Sequence, residues 1–253
     1  MTMEPCRLCQ AEAEEIFRLP ILGKYDVRYF RCSDCGSIET EKPYWLNEVY
    51  TDPIQPEDRE YLRRNIWIFD NVMLLLDVLK IPADAVILDF GGGLGIVPRL
   101  LREHGRNAYN FDAYAVSPFR DVTWNGDKPT MVINAELFEH LPEPAQDIEG
   151  IFRDTPDFVY TRTWRYRGEK PDWPYFGPEH GAHVFFYTDR AMEKIAERFG
   201  YHVFMPNELD TLFARRPLTG LQRRLIGAAF NNKIPRRVIR KGLKGARRLV
   251  PSL

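Results

Sequence analysis

Residues 85–95 read AVILDFGGGLG, and this stretch constrains the fold more than any other. Val86, Ile87 and Leu88 form a short apolar run that ends in Asp89, and glycines follow at 91, 92, 93 and 95. Consecutive apolar positions suit a strand buried on both faces, as in a parallel sheet covered by helices. Glycines then let the backbone turn sharply and bring its amides close to a ligand. Ile96 to His104 reads as the following helix, with Pro98 tolerated in its first turn. The dinucleotide fingerprint G-x-G-x-x-G needs its third glycine where Ile96 stands, so an NAD-type loop is not met. Ala108 to Phe111 supplies a second strand ending in Asp112, an acid placed to accept hydrogen bonds from ribose hydroxyls. The candidate cofactor-binding residues are therefore Asp89, Gly91, Gly93, Gly95 and Asp112.

The same alternation of strand and helix continues along the chain. Leu62, Ile66, Phe69, Met73, Leu76 and Leu79 recur at helical spacing, and predict a helix of about six turns that packs on the sheet. Asp58 and Glu60 favour its start and Pro82 follows its end. Met131 to Ile133 reads as a further strand, followed by Asn134-Ala135-Glu136 at the end where open α/β sheets bind ligands. Phe158 to Thr163 reads as the next strand. Thr188 or Asp189 caps a helix that stops at Gly200, and Tyr201 to Met205 with Thr211 to Ala214 form a closing hairpin.

All four cysteines lie in the first 35 residues, as Cys6-x2-Cys9 and Cys32-x2-Cys35. Two such knuckles can place four thiolates at the corners of a tetrahedron, the closed geometry of a structural Zn²⁺ site. Neither pair follows a strand and opens a helix, so a redox role is disfavoured. The intervening segment Phe17 to Phe30 alternates like a hairpin. The N-terminus has no basic region followed by an apolar core, and no apolar run is long enough to span a bilayer, so a cytoplasmic protein is expected.

The pattern Asp89-x-Gly91-x-Gly93-x-Gly95 resembles motif I of the class I S-adenosylmethionine-dependent methyltransferases. Glu139-His140-Leu141-Pro142-Glu143-Pro144 is similar to the E-H-L-x-x-P stretch of small-molecule members, and His183 to Thr188 to their H-x-x-x-Y-T pattern. With the four cysteines, the arrangement resembles the sugar C-methyltransferases, whose zinc-binding domain precedes the catalytic one; their further C-terminal domain has no counterpart in this sequence. The resemblance implies an α/β, Rossmann-like methyltransferase sheet, seven-stranded with the last strand antiparallel. Its third strand is expected in abbreviated form near Asp121 to Trp124, and Asp121 or Asp127 would then meet the adenine amino group. The implied organisation is a zinc ribbon over 1–50, a methyltransferase domain over 51–214, and a basic amphipathic tail over 215–253. S-adenosylmethionine and a structural Zn²⁺ are the implied cofactors.

Methyl transfer is an in-line displacement in which the enzyme positions the acceptor, and a hydroxyl acceptor also needs a base. His140, His180 and His183 are candidates for that role, since imidazole is matched to neutral pH, and Glu136 for orienting the acceptor. Each could equally pack or cap. The loop TWRYRGEKPDWPYFGPEHGAHVFFY carries Trp164, Tyr166, Trp173, Tyr175 and Phe176 beside Arg162, Arg165 and Arg167. These suit stacking on a sugar or base and contact with a phosphate, or else core packing.

The formal net charge of −1 conceals an asymmetry. Residues 215–253 hold twelve Lys/Arg and no Asp or Glu, leaving 23 basic against 36 acidic residues in 1–214. Leu218, Leu221, Leu225 and Ala229, then Ile239, Leu243, Ala246 and Val250, recur at helical spacing in that tail. A basic amphipathic helix can lie on an anionic membrane surface, grip RNA, or pack on the acidic body. The leading reading is a cytoplasmic methyltransferase, peripheral at the inner face of the membrane, acting on a glycan, lipid-linked sugar or related small acceptor. An RNA methyltransferase and a non-catalytic scaffold that keeps the cofactor fold remain open.

Overall fold

The computed structural model describes residues 3–49 and 60–249, without the side chains of 237 and 244–249. The chain begins with β1 (Met3–Pro5), β2 (Glu12–Ile21), β3 (Tyr25–Cys32) and β4 (Ile38–Thr40), which pair antiparallel in sequence order. A short helix, α1 (Leu46–Val49), follows. The expected hairpin is β2–β3, turned by Leu22 and Gly23 at positive φ.

Next come α2 (Tyr61–Val78), β5 (Ile87–Phe90), α3 (Ile96–Glu103), β6 (Ala108–Phe111), β7 (Met131–Ala135), α4 (Pro144–Phe152) and β8 (Phe158–Arg162). The chain then runs through β9 (Phe185–Phe186), α5 (Asp189–Phe199), β10 (His202–Phe204) and β11 (Asp210–Ala214). The main sheet has the order β10-β11-β8-β7-β5-β6. β6, β5, β7 and β8 are parallel, and β11 pairs antiparallel with β8 and with β10. Alternate residues on the central strands serve opposite faces. Ile87, Ile133, Tyr160 and Leu212 pack with α2 and α3, while Leu88, Val132, Val159 and Phe213 pack with α4 and α5. Thr188 caps α5 through its hydroxyl, which accepts from the Ala191 amide at 3.0 Å, and Gly200 ends it at φ 74°.

Three expectations need correction. The main sheet has six strands, because the segment expected to form a third strand makes only a single parallel bridge, Thr123 to Asn110, beside a tight turn at Arg120–Val122. Each parallel crossover takes a dozen or more residues, and the 19 between β6 and β7 are too few for two. Next, α2 has five turns and its apolar stripe is buried only from Phe69 onward; Leu62 and Ile66 are exposed. Asp58, expected near its start, lies outside the described residues, and Glu60 sits at the cap position, where its carboxylate pairs with Arg63 at 3.1 Å rather than capping a helix amide.

The third concerns the cysteine module, which does not stand apart at residue 50. β9 pairs antiparallel with β4, so Phe185 and Phe186 complete a five-stranded sheet begun at Met3. Arg7 ties the two parts together. It forms an ion pair with buried Glu39 at 2.9 Å and donates to the carbonyls of Thr40, Pro142 and Val184. The Thr188 hydroxyl donates to the Cys35 carbonyl.

The tail forms α6 (Gly220–Phe230) and α7 (Arg236–Leu249). Ile226, Ala229, Phe230 and Ile239 are buried in the cluster shared with α2. Arg236 donates to Asn71 at 2.6 Å, and Arg240 pairs with Asp77 at 2.8 Å. Much of the apolar stripe is therefore spent on the body of the protein. Leu221 and Val238 remain exposed, and Ala246 and Val250 fall where no side chain is described.

Candidate active site

The glycine loop lies between β5 and α3 and is braced from β6. Gly91, Gly93 and Gly95 have φ of 77°, 54° and 76°. Gly92 is required for space: a Cβ there would lie 2.3 Å from Asn110 Oδ1 and 2.5 Å from Asp89 Oδ2. The Asp112 carboxylate accepts the Gly93 amide at 2.8 Å and the Tyr114 and Ala115 amides, also at 2.8 Å. That fixes its position relative to the loop and leaves about one of the carboxylate's four acceptor positions open, on Oδ2. Asn110 donates to the Gly93 carbonyl at 3.0 Å, and its own Oδ1 is buried without a partner among the described residues. Burial, and then the charge of Asp112, push the Asp89 carboxyl up to about 7. The Ser117 hydroxyl donates to the Leu94 carbonyl at 2.8 Å, and the Tyr61 hydroxyl from the first turn of α2 lies against Gly93, 3.3 Å from where a Cβ would stand. Asp121 pairs with Arg99 and Arg102, and Asp127 accepts from Asn125.

Beside the loop, β7 ends at Ala135 and the chain turns at Glu136, whose φ is 56°. Leu137 covers Gly91, where a Cβ would meet it at 2.8 Å. A tight turn over Phe138–His140 then sets Glu136, Glu139 and His140 at the carboxyl end of the strands. Glu136 pairs with Arg162 at 3.0 Å, and burial followed by the Glu139 charge raises its carboxyl to about 7. It does not cap a helix, since α4 begins only at Pro144.

The fold brings all three candidate histidines into one edge-to-face cluster. The His140 and His183 ring centroids are 4.9 Å apart and those of His180 and His183 4.7 Å. His140 Nδ1 faces the Ala182 carbonyl at 3.1 Å, and His183 Nδ1 the Tyr175 carbonyl at 2.6 Å. A carbonyl only accepts, so both Nδ1 atoms carry the proton and both Nε2 atoms the lone pair. His180 is the opposite tautomer, because its Nδ1 accepts the Ala182 amide at 3.0 Å. Burial lowers His140 to about 4 and His183 well below the usual range, which keeps the rings neutral near pH 7.

Several residues of this corner are not singled out by the sequence reading. Glu139 is fully buried, with Oε1 accepting from the Tyr175 hydroxyl at 2.7 Å and Oε2 without a partner among the described residues. Arg162 joins Glu136 and Asp210, and its guanidinium lies 4.0 Å from the Trp67 ring, on which Arg236 from the tail also rests at 4.9 Å. Glu139 sits inside the quoted E-H-L motif and Gly92 inside the glycine run, so both had a signal; Arg162 was marked only as a phosphate contact of the aromatic loop, and Tyr61 and Asn110 had no signal. For the aromatic loop the packing alternative holds. Tyr166, Trp173 and Phe176 are buried in a core cluster with Tyr29 and Phe186, and Arg165 is fully buried against Asp189 and Thr211. Of the three loop arginines only Arg167 is exposed.

The four cysteines converge in the core cluster that also holds Phe138, Phe185 and Tyr187. Cys6 and Cys35 Sγ are 3.8 Å apart, Cys9 and Cys32 Sγ 3.4 Å, and all four sulfurs lie within 4.8 Å of one another as free thiols. A tetrahedron of 2.3 Å Zn–S bonds has edges of about 3.8 Å, so the cluster fits the ion. The Asp34 and Cys35 amides point at Cys32 Sγ at 3.4 Å each, as in a metal knuckle.

The family described as "Methyltransferase domain" matches residues 59–204, more than half of the chain. The chain belongs to this methyltransferase family. By that match and by its sheet order it is a class I S-adenosylmethionine-dependent methyltransferase. No match was found among curated proteins. Similar solved structures include the Burkholderia thailandensis 1,6-didemethyltoxoflavin-N1-methyltransferase with S-adenosylhomocysteine, at 12% identity and a TM-score of 0.46 over 74% of this chain and 93% of that one. Another is the putative methyltransferase in complex with the Haloferax volcanii Trm112 activator, at 15% identity and a TM-score of 0.43 over 61% and 94%. The methyltransferase chain spans 46% of the LepI chain solved with S-adenosylhomocysteine and a substrate analogue, at 15% identity and a TM-score of 0.41 over 56% of its own length.

Proposed function

We propose that this methyltransferase transfers its methyl group to a hydroxyl of a glycan, lipid-linked sugar or related small acceptor, and that the four cysteines hold a structural Zn²⁺. The observation that carries the reading is the edge-to-face cluster of neutral imidazoles beside buried carboxyls, in the segment whose Leu137 covers the glycine loop. S-adenosylmethionine, when bound, supplies a methyl carbon on a sulfonium for in-line displacement. The amides of Gly91 to Gly95 approach that cofactor, Asp112 accepts from a hydroxyl of its ribose, and buried Asp89 braces the loop from below. Glu136 orients the acceptor. The corner formed by Glu139, His140 and His183, with His180 donating from its Nε2, activates the acceptor hydroxyl.

The membrane surface enters through the exposed side of the tail, where Leu221 and Val238 stand among Arg223, Arg224, Lys233 and Lys241. This reading keeps the enzyme cytoplasmic and peripheral to the inner membrane face. Co-sedimentation with anionic vesicles tests it: partitioning should fall in Leu221→Glu/Val238→Glu, and equal partitioning defeats it.

Calorimetry with S-adenosylmethionine tests the site. The wild type should bind at micromolar affinity and Asp89→Ala or Asp112→Ala more weakly, whereas no binding to wild type refutes the reading. Tritiated-methyl transfer into a cell extract, fractionated into lipid, polysaccharide, small-molecule and RNA pools, tests the acceptor. Label confined to RNA overturns it in favour of an RNA methyltransferase, and label in no pool in favour of a non-catalytic scaffold.

A further inference from the structure

Glu139, His140 and His183 each present a ligand atom, and the three atoms lie within 4.8 Å of one another. Histidines that hold metals characteristically donate their other ring N–H to a backbone carbonyl or carboxylate, which fixes the tautomer and orients the ring. His140 does so to Ala182, and His183 to Tyr175. Glu139 is supported in the same way, since Tyr175 donates to its Oε1 while the Trp164 amide donates to the Tyr175 hydroxyl at 3.1 Å. The other carboxylate oxygen, Oε2, is buried with no donor among the described residues. An unsatisfied buried acceptor is costly, and a cation beside it removes the cost. His140 and His183 are only partly buried, so an ion can reach the cluster.

We propose that Glu139, His140 and His183 form a divalent-cation site. Two imidazole nitrogens and one carboxylate oxygen suit Mn²⁺, Fe²⁺, Co²⁺ or Zn²⁺ better than Mg²⁺ or Ca²⁺, which prefer all-oxygen shells. Ligands on a tetrahedral site with bonds near 2.1 Å are about 3.4 Å apart, so small side-chain rotations close the cluster around the ion. The remaining coordination positions face the acceptor. This rests on the function proposed above and deepens it, by naming acceptors with two adjacent oxygens, such as vicinal hydroxyls, that can chelate. Coordination acidifies the acceptor hydroxyl, whose proton leaves to solvent. The new O–C bond then forms as the sulfonium S–C bond breaks, leaving a neutral thioether.

The test is a Co²⁺ titration of the full-length, zinc-loaded protein followed by visible absorption, with S-adenosylmethionine binding measured in parallel by calorimetry. Thiolate ligation gives an intense sulfur-to-metal charge-transfer band, so the cysteine cluster is told apart from a nitrogen and oxygen site. The wild type should take up one Co²⁺ with d–d bands and no thiolate band. Glu139→Gln, which still accepts the Tyr175 hydroxyl, and His183→Gln should each weaken uptake at least about tenfold while retaining cofactor binding. Cofactor binding without such Co²⁺ uptake, or uptake unchanged in both variants, overturns the site. Failure of the wild type to bind S-adenosylmethionine refutes the underlying function instead.

Discussion

Gly92→Ala is the most searching perturbation of the cofactor loop, because the obstacle is steric rather than conformational. The new methyl carbon would sit 2.3 Å from Asn110 Oδ1, 2.5 Å from Asp89 Oδ2 and 2.6 Å from Asp89 Cγ. Neither neighbour can swing away freely, since Asp89 is buried and Asn110 is tied to the Gly93 carbonyl. The strand ends or the loop must therefore shift, and forcing extra volume into a packed site costs about 1–3 kcal/mol. For a chain of this size each kcal/mol moves the melting temperature by about 2–4 °C, so a fall of about 2–12 °C is expected. Gly227→Ala in α6 is the control. A Cβ there meets nothing within 4 Å, and replacing a helix-interior glycine should stabilise by up to about 1 kcal/mol. Thermal unfolding of both variants, with S-adenosylmethionine calorimetry, gives the readout: opposite shifts in melting temperature, and cofactor binding weakened only in Gly92→Ala. A Gly92→Ala protein that melts with wild type and binds equally well refutes the account of the loop.

The other predictions address the docking, the buried acid, the metal module and the tail. Arg7→Ala leaves Glu39 as an unpaired buried charge and should cost about 3–5 kcal/mol, seen as a lower denaturant midpoint; an unchanged midpoint rules out the proposed clasp. Asp89 binds its proton more tightly folded, at about 7, than unfolded, near 3.8, so its contribution to stability is lost as pH rises between these values, by about 1.4 kcal/mol per unit. The melting temperature of Asp89→Asn relative to wild type should therefore increase from pH 5 to pH 8, and a pH-independent difference contradicts the assigned burial. Metal analysis should return one Zn²⁺ per chain at the cysteines, and its removal by a chelator should lower the melting temperature; a stable, metal-free wild type excludes the structural role. Phe230→Ala should destabilise by about 3–5 kcal/mol, because the ring is buried against Tyr160 and α2, whereas a tail lying free of the body would be indifferent to it.

What the sequence by itself determined is what depends on near neighbours in the chain. Three consecutive apolar residues before Asp89 and the glycines after it specify a buried strand and its turn. The hydroxyl of Thr188 three residues before the Ala191 amide specifies a cap, and two-residue spacings between cysteines specify a knuckle. These signals are local because the hydrogen bonds and backbone angles behind them span only a few residues. The active-site corner was decided by the tertiary structure. His140 becomes one tautomer and His180 the other because the carbonyl and amide of Ala182, some 40 residues from His140, meet their rings. Glu139 acquires an orphaned oxygen because Tyr175 reaches only one side of its carboxylate. The loop aromatics and the tail's apolar stripe, each readable as a binding surface, are buried because the sheet completed by β9 and the exposed flank of α2 offered them apolar partners. A side chain's exposure, tautomer and charge follow from what distant segments place against it, and residue spacing along the chain carries no record of that.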